Sequence, residues 1–145
     1  MPYEHKVERR VEFSETDMAG IMHYSNFFRF METAEHAFYR ELGHSVVMKD
    51  VDPPLGWPRV HAECDYFKPL RFEDLVEVHM LVKEKKSKAL VYEFRFRKVN
   101  GGREEVARGS LTVVCVAHVD GGMRAVEMPK DLADKIEVAP PELFR

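Results

Sequence analysis

The sequence predicts an α+β fold in which one long central helix is wrapped by a curved antiparallel sheet of five or six strands. Three observations carry that expectation. Residues 26–42 show a single long helical period, four or five alternating strand patterns follow one another after residue 58, and one more strand pattern precedes the helix. A helix with one apolar stripe and strands with one apolar face hide both most simply by packing on each other.

The first strand is read from Tyr3 to Phe13, where Tyr3, His5, Val7, Val11 and Phe13 alternate with Glu4, Lys6, Glu8 and Glu12. Ser14 to Tyr24 breaks the period, with Gly20 free to take positive φ. Phe27, Phe30, Met31, Ala34, Ala37, Phe38 and Leu42 then recur at spacings of three and four. Ser25 is the expected N-cap and Gly43 the stop. At 1.5 Å per residue such a helix is about 26 Å long, enough to cross a small sheet.

Pro53, Pro54, Gly56 and Pro58 keep residues 44–58 irregular. Next come strand patterns at 59–66, 76–83 and 90–97, the last closed by the turn signal Asn100-Gly101-Gly102. Glu104 to His118 reads as one strand, apolar on both parities from Leu111 to Ala117, which predicts a position near the sheet centre with cover on both faces. Asp120-Gly121-Gly122 predicts a turn into a short strand at Arg124 to Val126, Pro129 to Ile136 one or two helical turns, and Ala139-Pro140-Pro141 an extended tail. One helix cannot cover both faces of such a sheet, so a homodimer or homotetramer is expected. With no repeat or linker, 1–145 reads as one domain.

Composition narrows the function. A net charge of −3 speaks against nucleic acid as a partner, and the longest apolar run is far short of the roughly 20 residues of a membrane helix. The N-terminal Met1 to Lys6 has no apolar core of a signal peptide, which predicts a cytoplasmic protein. Cys64 and Cys115 lie in apolar strand patterns without metal or redox spacing and read as buried thiols. His61, Glu63 and Asp65 share a strand face, but neighbours ~6.6 Å apart along it seldom close on one ion, so no metal is expected.

Chemistry concentrates between Phe13 and Phe28, where Asp17, Gly20, His23, Tyr24 and a helix start fall within a dozen residues. An acidic cluster ending a strand, then Asp-x-x-Gly, then His or aromatic residues and a long helix, resembles the hotdog-fold 4-hydroxybenzoyl-CoA thioesterase family. Asp17, Gly20, His23, Tyr24 and Phe27 carry the resemblance. A second matching stretch runs from Asp65 to Asp74. The order His23 then Tyr24 departs from relatives with Tyr then His, and the Asp-x-Asn-Pro-x-His signature of hotdog hydratases is absent.

The resemblance implies a hotdog thioesterase that hydrolyses a short-chain or aromatic acyl-CoA, with coenzyme A as part of the substrate and no further cofactor. It implies that Asp17 is the catalytic carboxylate and that the Tyr24 backbone N–H holds the thioester carbonyl. It also implies substrate contacts from Gly20, His23 and Phe27, and contacts to the CoA phosphates from Lys86, Lys88 and Arg71. The first N–H groups of a helix lack intrahelical acceptors, which independently suits them to an oxyanion. Read without the resemblance, Asp17 is equally a turn residue, His23 a packed histidine and the lysine run a solvated turn. Ser25 has no base beside it and Glu32 is the second candidate carboxylate. A binding module that holds acyl-CoA or an acyl carrier protein's acyl arm without turnover is the competing function; Asp17 separates the two.

Overall fold

The computed structural model describes residues 2–48 and 51–145. Strand β1 (Glu4–Arg10) leads through a 3-10 turn (Phe13–Glu15) and a loop to helix α1 (Asn26–Glu41). The chain continues as β2 (Leu55–Gly56), β3 (Arg59–Tyr66), β4 (Leu75–Lys85), β5 (Ala89–Lys98), β6 (Glu104–Val114), β7 (Val116–Val119), β8 (Gly122–Ala125) and α2 (Lys130–Ala133). Five strands form an antiparallel sheet in the order β1-β4-β5-β6-β3, and β2, β7 and β8 form a second, smaller one.

Helix α1 is placed by its apolar stripe. Phe27, Phe30, Met31, Ala34 and Phe38 are buried against Val78, Met80, Phe94 and Phe96 of the sheet. Helix and sheet meet closely at Gly109 of β6, where a Cβ would fall 2.0 Å from the Met31 methyl, so glycine there lets the helix seat. Arg59, at the start of β3, pairs with Glu35 of α1 and ties helix to sheet. Glu35 is fully buried although it lies among polar positions of the helix. Burial pushes its carboxyl above the ordinary carboxylate range, with the Arg59 guanidinium opposing. Beyond it the hydroxyls of Tyr39 and Tyr92 hydrogen-bond at 2.8 Å in the core. The helix ends as expected at Gly43, whose N–H reaches the Arg40 carbonyl while His44 N–H reaches that of Tyr39.

Several expectations are corrected. The first strand stops at Arg10 because Glu12 and Glu15 cap one another across the 3-10 turn, leaving Phe13 exposed. The long strand 104–118 is two strands: the chain passes from one sheet to the other at Cys115, and that change of sheet makes both parities apolar. Its first part, β6, does lie near the sheet centre as expected, beside the central β5. In β3 a bulge between Arg59 and His61 breaks the alternation, leaving Val60 62% exposed. The tail is not extended throughout, since Pro141–Phe144 forms a 3-10 turn.

The two-sided cover belongs instead to β4 and β5, where Glu77, His79, Leu81, Glu93 and Arg95 are buried as well as the core-facing residues. It comes from the chain itself: ion pairs lie flat across this face, and the Arg145 carbonyl reaches Arg95. Cys115 is buried and Cys64 half-buried, and burial pushes both thiols up to about 11, so they stay protonated at neutral pH. No helix among the described residues is long and apolar enough to cross a membrane.

Candidate active site

The loop before α1, the helix start and the segment after β3 enclose an apolar cleft of about 440 Å³. Ile21, Met22 and Phe27 come from the loop and helix, and Tyr66, Phe67 and Leu70 from the second matching stretch. Asp17 and Tyr24 also line it. Phe27 is buried and meets Tyr66 edge-on at 4.9 Å and Phe96 at 5.2 Å, so its ring forms a rigid floor.

Asp17 is held at the surface of this cleft by its own turn. Its N–H donates to the Ile21 carbonyl at 2.9 Å, its carbonyl accepts from Gly20 at 2.9 Å, and Gly20 takes φ +81. Ala19 N–H donates to Oδ1 at 2.8 Å. One carboxylate oxygen is thereby oriented, and Oδ2 has no hydrogen-bond partner among the described residues.

The helix start is built one turn earlier than the α-helix itself. Asn26 N–H donates to the His23 carbonyl, Phe27 to Tyr24 and Phe28 to Ser25, all over three residues. Ser25 is therefore not the cap: its backbone is helical, at φ −67 and ψ −23, and its hydroxyl makes no capping bond. The Tyr24 N–H donates no hydrogen bond among the described residues, while the Tyr24 carbonyl accepts one from the Tyr66 hydroxyl at 3.2 Å. Burial pushes that hydroxyl up to about 12, so it remains a donor at neutral pH.

Two bonds fix the helix start against the Asp17 loop, and both converge on the Glu15 carbonyl: His23 N–H at 2.8 Å and Asn26 Nδ2 at 2.8 Å. Asn26 is only 9% exposed. The sequence pattern did not single it out, nor Tyr66, because nothing in the sequence marks an Asn beside a helix start as buried.

Of the sequence-predicted residues, Asp17, Tyr24 and Phe27 meet in one cleft, and Gly20 shapes it. His23 does not line the cleft; its ring stacks on that of Tyr24 at 4.5 Å and its Nδ1 faces Ser25. Arg71 is exposed just beyond Leu70 and uses its N–H on Asp74. Lys86 and Lys88 are not brought together with Asp17 within one chain. Their turn follows β4 where Ala89 pairs with Val114, whereas the cleft lies where Tyr66 and Phe96 pair with Ala107, roughly 23 Å away along β6. Glu32 is half-exposed and 3.5 Å from Arg59, away from the cleft. His61 and Glu63 are exposed on β3, and no group of three His, Cys, Asp or Glu among the described residues is placed to hold a metal ion.

Residues 11–136 match the thioesterase-like superfamily. The chain belongs to that superfamily. Among its curated relatives, a protein of Aquifex aeolicus (strain VF5) is 42% identical over 84 residues, covering 58% of this chain and 63% of the relative. A 1,4-dihydroxy-2-naphthoyl-CoA hydrolase of Prochlorococcus marinus (strain NATL2A) is 29% identical over 102 residues, covering 63% of this chain and 64% of the hydrolase. The chain thus spans under two thirds of the length of these two relatives. A solved gentisyl-coenzyme A thioesterase superposes with a TM-score of 0.78 at 29% identity, covering 91% of this chain and 99% of that one. The superfamily fold is the hotdog expected from the sequence, with α1 as its central helix.

Proposed function

We propose that this cleft hydrolyses an acyl-CoA thioester whose acyl group is aromatic, with Asp17 as the catalytic carboxylate and the Tyr24 N–H as the donor to the thioester oxygen. One observation carries the reading. Asp17, with one carboxylate oxygen unpartnered among the described residues, and Tyr24, with an N–H unpartnered among them, line the same apolar cleft. The two relatives named for a substrate take hydroxylated aromatic acyl-CoA thioesters. A floor of Phe27 flanked by Tyr66 and Phe67 suits a flat ring.

In this reading the ring lies on Phe27 beside Tyr66 and Phe67, and the carbonyl oxygen accepts from Tyr24 N–H. Asp17 Oδ2 attacks the carbonyl carbon, the C–S bond breaks, and coenzyme A leaves as thiolate and takes a proton from water. Water then opens the mixed anhydride, giving the free acid and restoring the carboxylate. The N–H gains most where charge develops on the oxygen, so it lowers the barrier more than it tightens binding. The Asx turn at Asp17 also fits a purely structural carboxylate, and activity separates the two readings.

The test is thiol release from a panel of hydroxylated aryl, unsubstituted aryl and short aliphatic acyl-CoAs. The aryl thioesters should exceed the aliphatic ones in kcat/KM by roughly tenfold or more, the range that fit to an apolar pocket supplies. Thiol release from none of them overturns hydrolysis, and equal rates across the panel overturn the aromatic preference.

A further inference from the structure

His23 stands next to Tyr24 yet works on the helix rather than on the cleft. Its Nδ1 lies 2.8 Å from Ser25 Oγ and 3.3 Å from the Ser25 backbone nitrogen. A backbone N–H only donates, so in this arrangement Nδ1 bears a lone pair, the proton sits on Nε2 and the ring is neutral. The main chain of the same residue completes the picture, because the His23 carbonyl accepts the Asn26 N–H at 3.0 Å. A residue whose carbonyl opens the first helical turn, and whose side chain accepts the N–H two positions on, is an N-cap.

The cap decides which donor remains. The first turn offers the N–H groups of Tyr24, Ser25 and Asn26. Asn26 is taken by the His23 carbonyl and Ser25 by the His23 ring, which leaves Tyr24. Ring stacking at 4.5 Å and 27° further couples His23 to the residue whose N–H is free.

We infer that His23 is a positioning residue: its neutral imidazole caps the first turn through Ser25 and so fixes the Tyr24 N–H as the donor to the thioester oxygen. This rests on the proposed thioester hydrolysis, and it departs from a role for His23 in touching the acyl group. A capping acceptor need not be an imidazole. Asn carries Oδ1 where His carries Nδ1 and is itself a preferred N-cap, so His23→Asn should preserve the function and His23→Leu should not.

The experiment measures kcat and KM on benzoyl-CoA and 4-hydroxybenzoyl-CoA for the protein, His23→Asn and His23→Leu, together with amide exchange at Ser25 by NMR. The Asn variant should keep kcat within about threefold, while the Leu variant loses roughly tenfold, the rate equivalent of one lost cap. KM should move by less than about twofold in both. Ser25 exchange should be slow in the protein and in His23→Asn, and faster in His23→Leu. Equal kcat in the two variants, or a change confined to KM, overturns the positioning role. Should the unsubstituted protein release no thiol from either thioester, the hydrolysis reading fails separately. Ser25 exchange then still decides the cap, and equal exchange in all three proteins overturns it.

Discussion

Asn26 shows how a single buried polar side chain can matter without touching substrate. Its Nδ2 donates to the Glu15 carbonyl, which His23 N–H also reaches, so the helix start and the loop leading to Asp17 share one acceptor. Asn26→Ala removes one of those two ties and leaves the carbonyl a partner, so the cost in folding stability should be about 1 kcal/mol. The loss in kcat should be larger, roughly tenfold or more, because Asp17 and the Tyr24 N–H would no longer be held in register. Denaturant melts and steady-state kinetics on the variant check both; a kcat loss no larger than the stability loss would count against a positioning role. This residue was not legible in the sequence, since Asn beside a helix start reads as an ordinary capping residue. Asp17 and Gly20 were singled out by the family resemblance alone, because an Asp and a glycine three apart also make an ordinary turn, as they do here.

At the scale of elements, the long helix was readable because three- and four-residue spacing survives any tertiary context, and the stripe from Phe27 to Phe38 is the buried one. The break at Cys115 was not, because a strand that changes sheets and a strand covered on both faces give the same apolar run. The burial of Glu35 was not legible for a different reason: its partner Arg59 arrives from another element 24 residues away. The same limit hid the link between β1, β4 and β5. There His79 Nε2 meets Glu4 at 2.6 Å while Arg97 donates to Nδ1 at 3.1 Å, which requires a neutral ring. Burial lowers the His79 pKa below its usual 6.5, helped by Arg97 and Lys6 and opposed by the Glu4 hydrogen bond. The unfolded chain then binds the extra proton first, so stability should fall as pH drops below about 6.5, by at most about 1.4 kcal/mol per pH unit. Melts between pH 5 and 7 should show a shallower slope for His79→Gln than for the protein. Parallel slopes would remove His79 from the account.

For the whole molecule, the surface left for a second copy is an edge of the sheet rather than its face. The outer face of β4 and β5 is covered by the chain's own ion pairs, but β3 pairs only with β6 among the described residues, leaving one edge of the five-stranded sheet free. Val60, Tyr66 and Phe67 are exposed along it. An open edge with apolar side chains is a template for another strand. A second copy pairing antiparallel along β3 would join two sheets into one and bring the Arg59 end of each β3 beside the partner's cleft. Sedimentation should give a dimer, and Val60→Asp, which places a charge on that edge, should shift it toward half the mass. A monomer at micromolar concentration, or a dimer indifferent to this substitution, would place the contact elsewhere. Such pairing would also carry Lys86 and Lys88, which lie beyond the Arg59 end of the sheet, toward the partner's cleft, the side from which they could meet CoA phosphates.

The central claim is that Asp17 acts on the thioester rather than merely shaping its turn. Asp17→Asn keeps an oxygen for the Ala19 N–H and removes only the charge, so binding and chemistry should separate. The deciding measurement is kcat on 4-hydroxybenzoyl-CoA beside the Kd of a non-hydrolysable thioether analogue. A fall in kcat of roughly 10³ or more, the scale on which loss of a nucleophile is felt, with Kd within about threefold is the predicted result. A variant that turns over at the unsubstituted rate would contradict it.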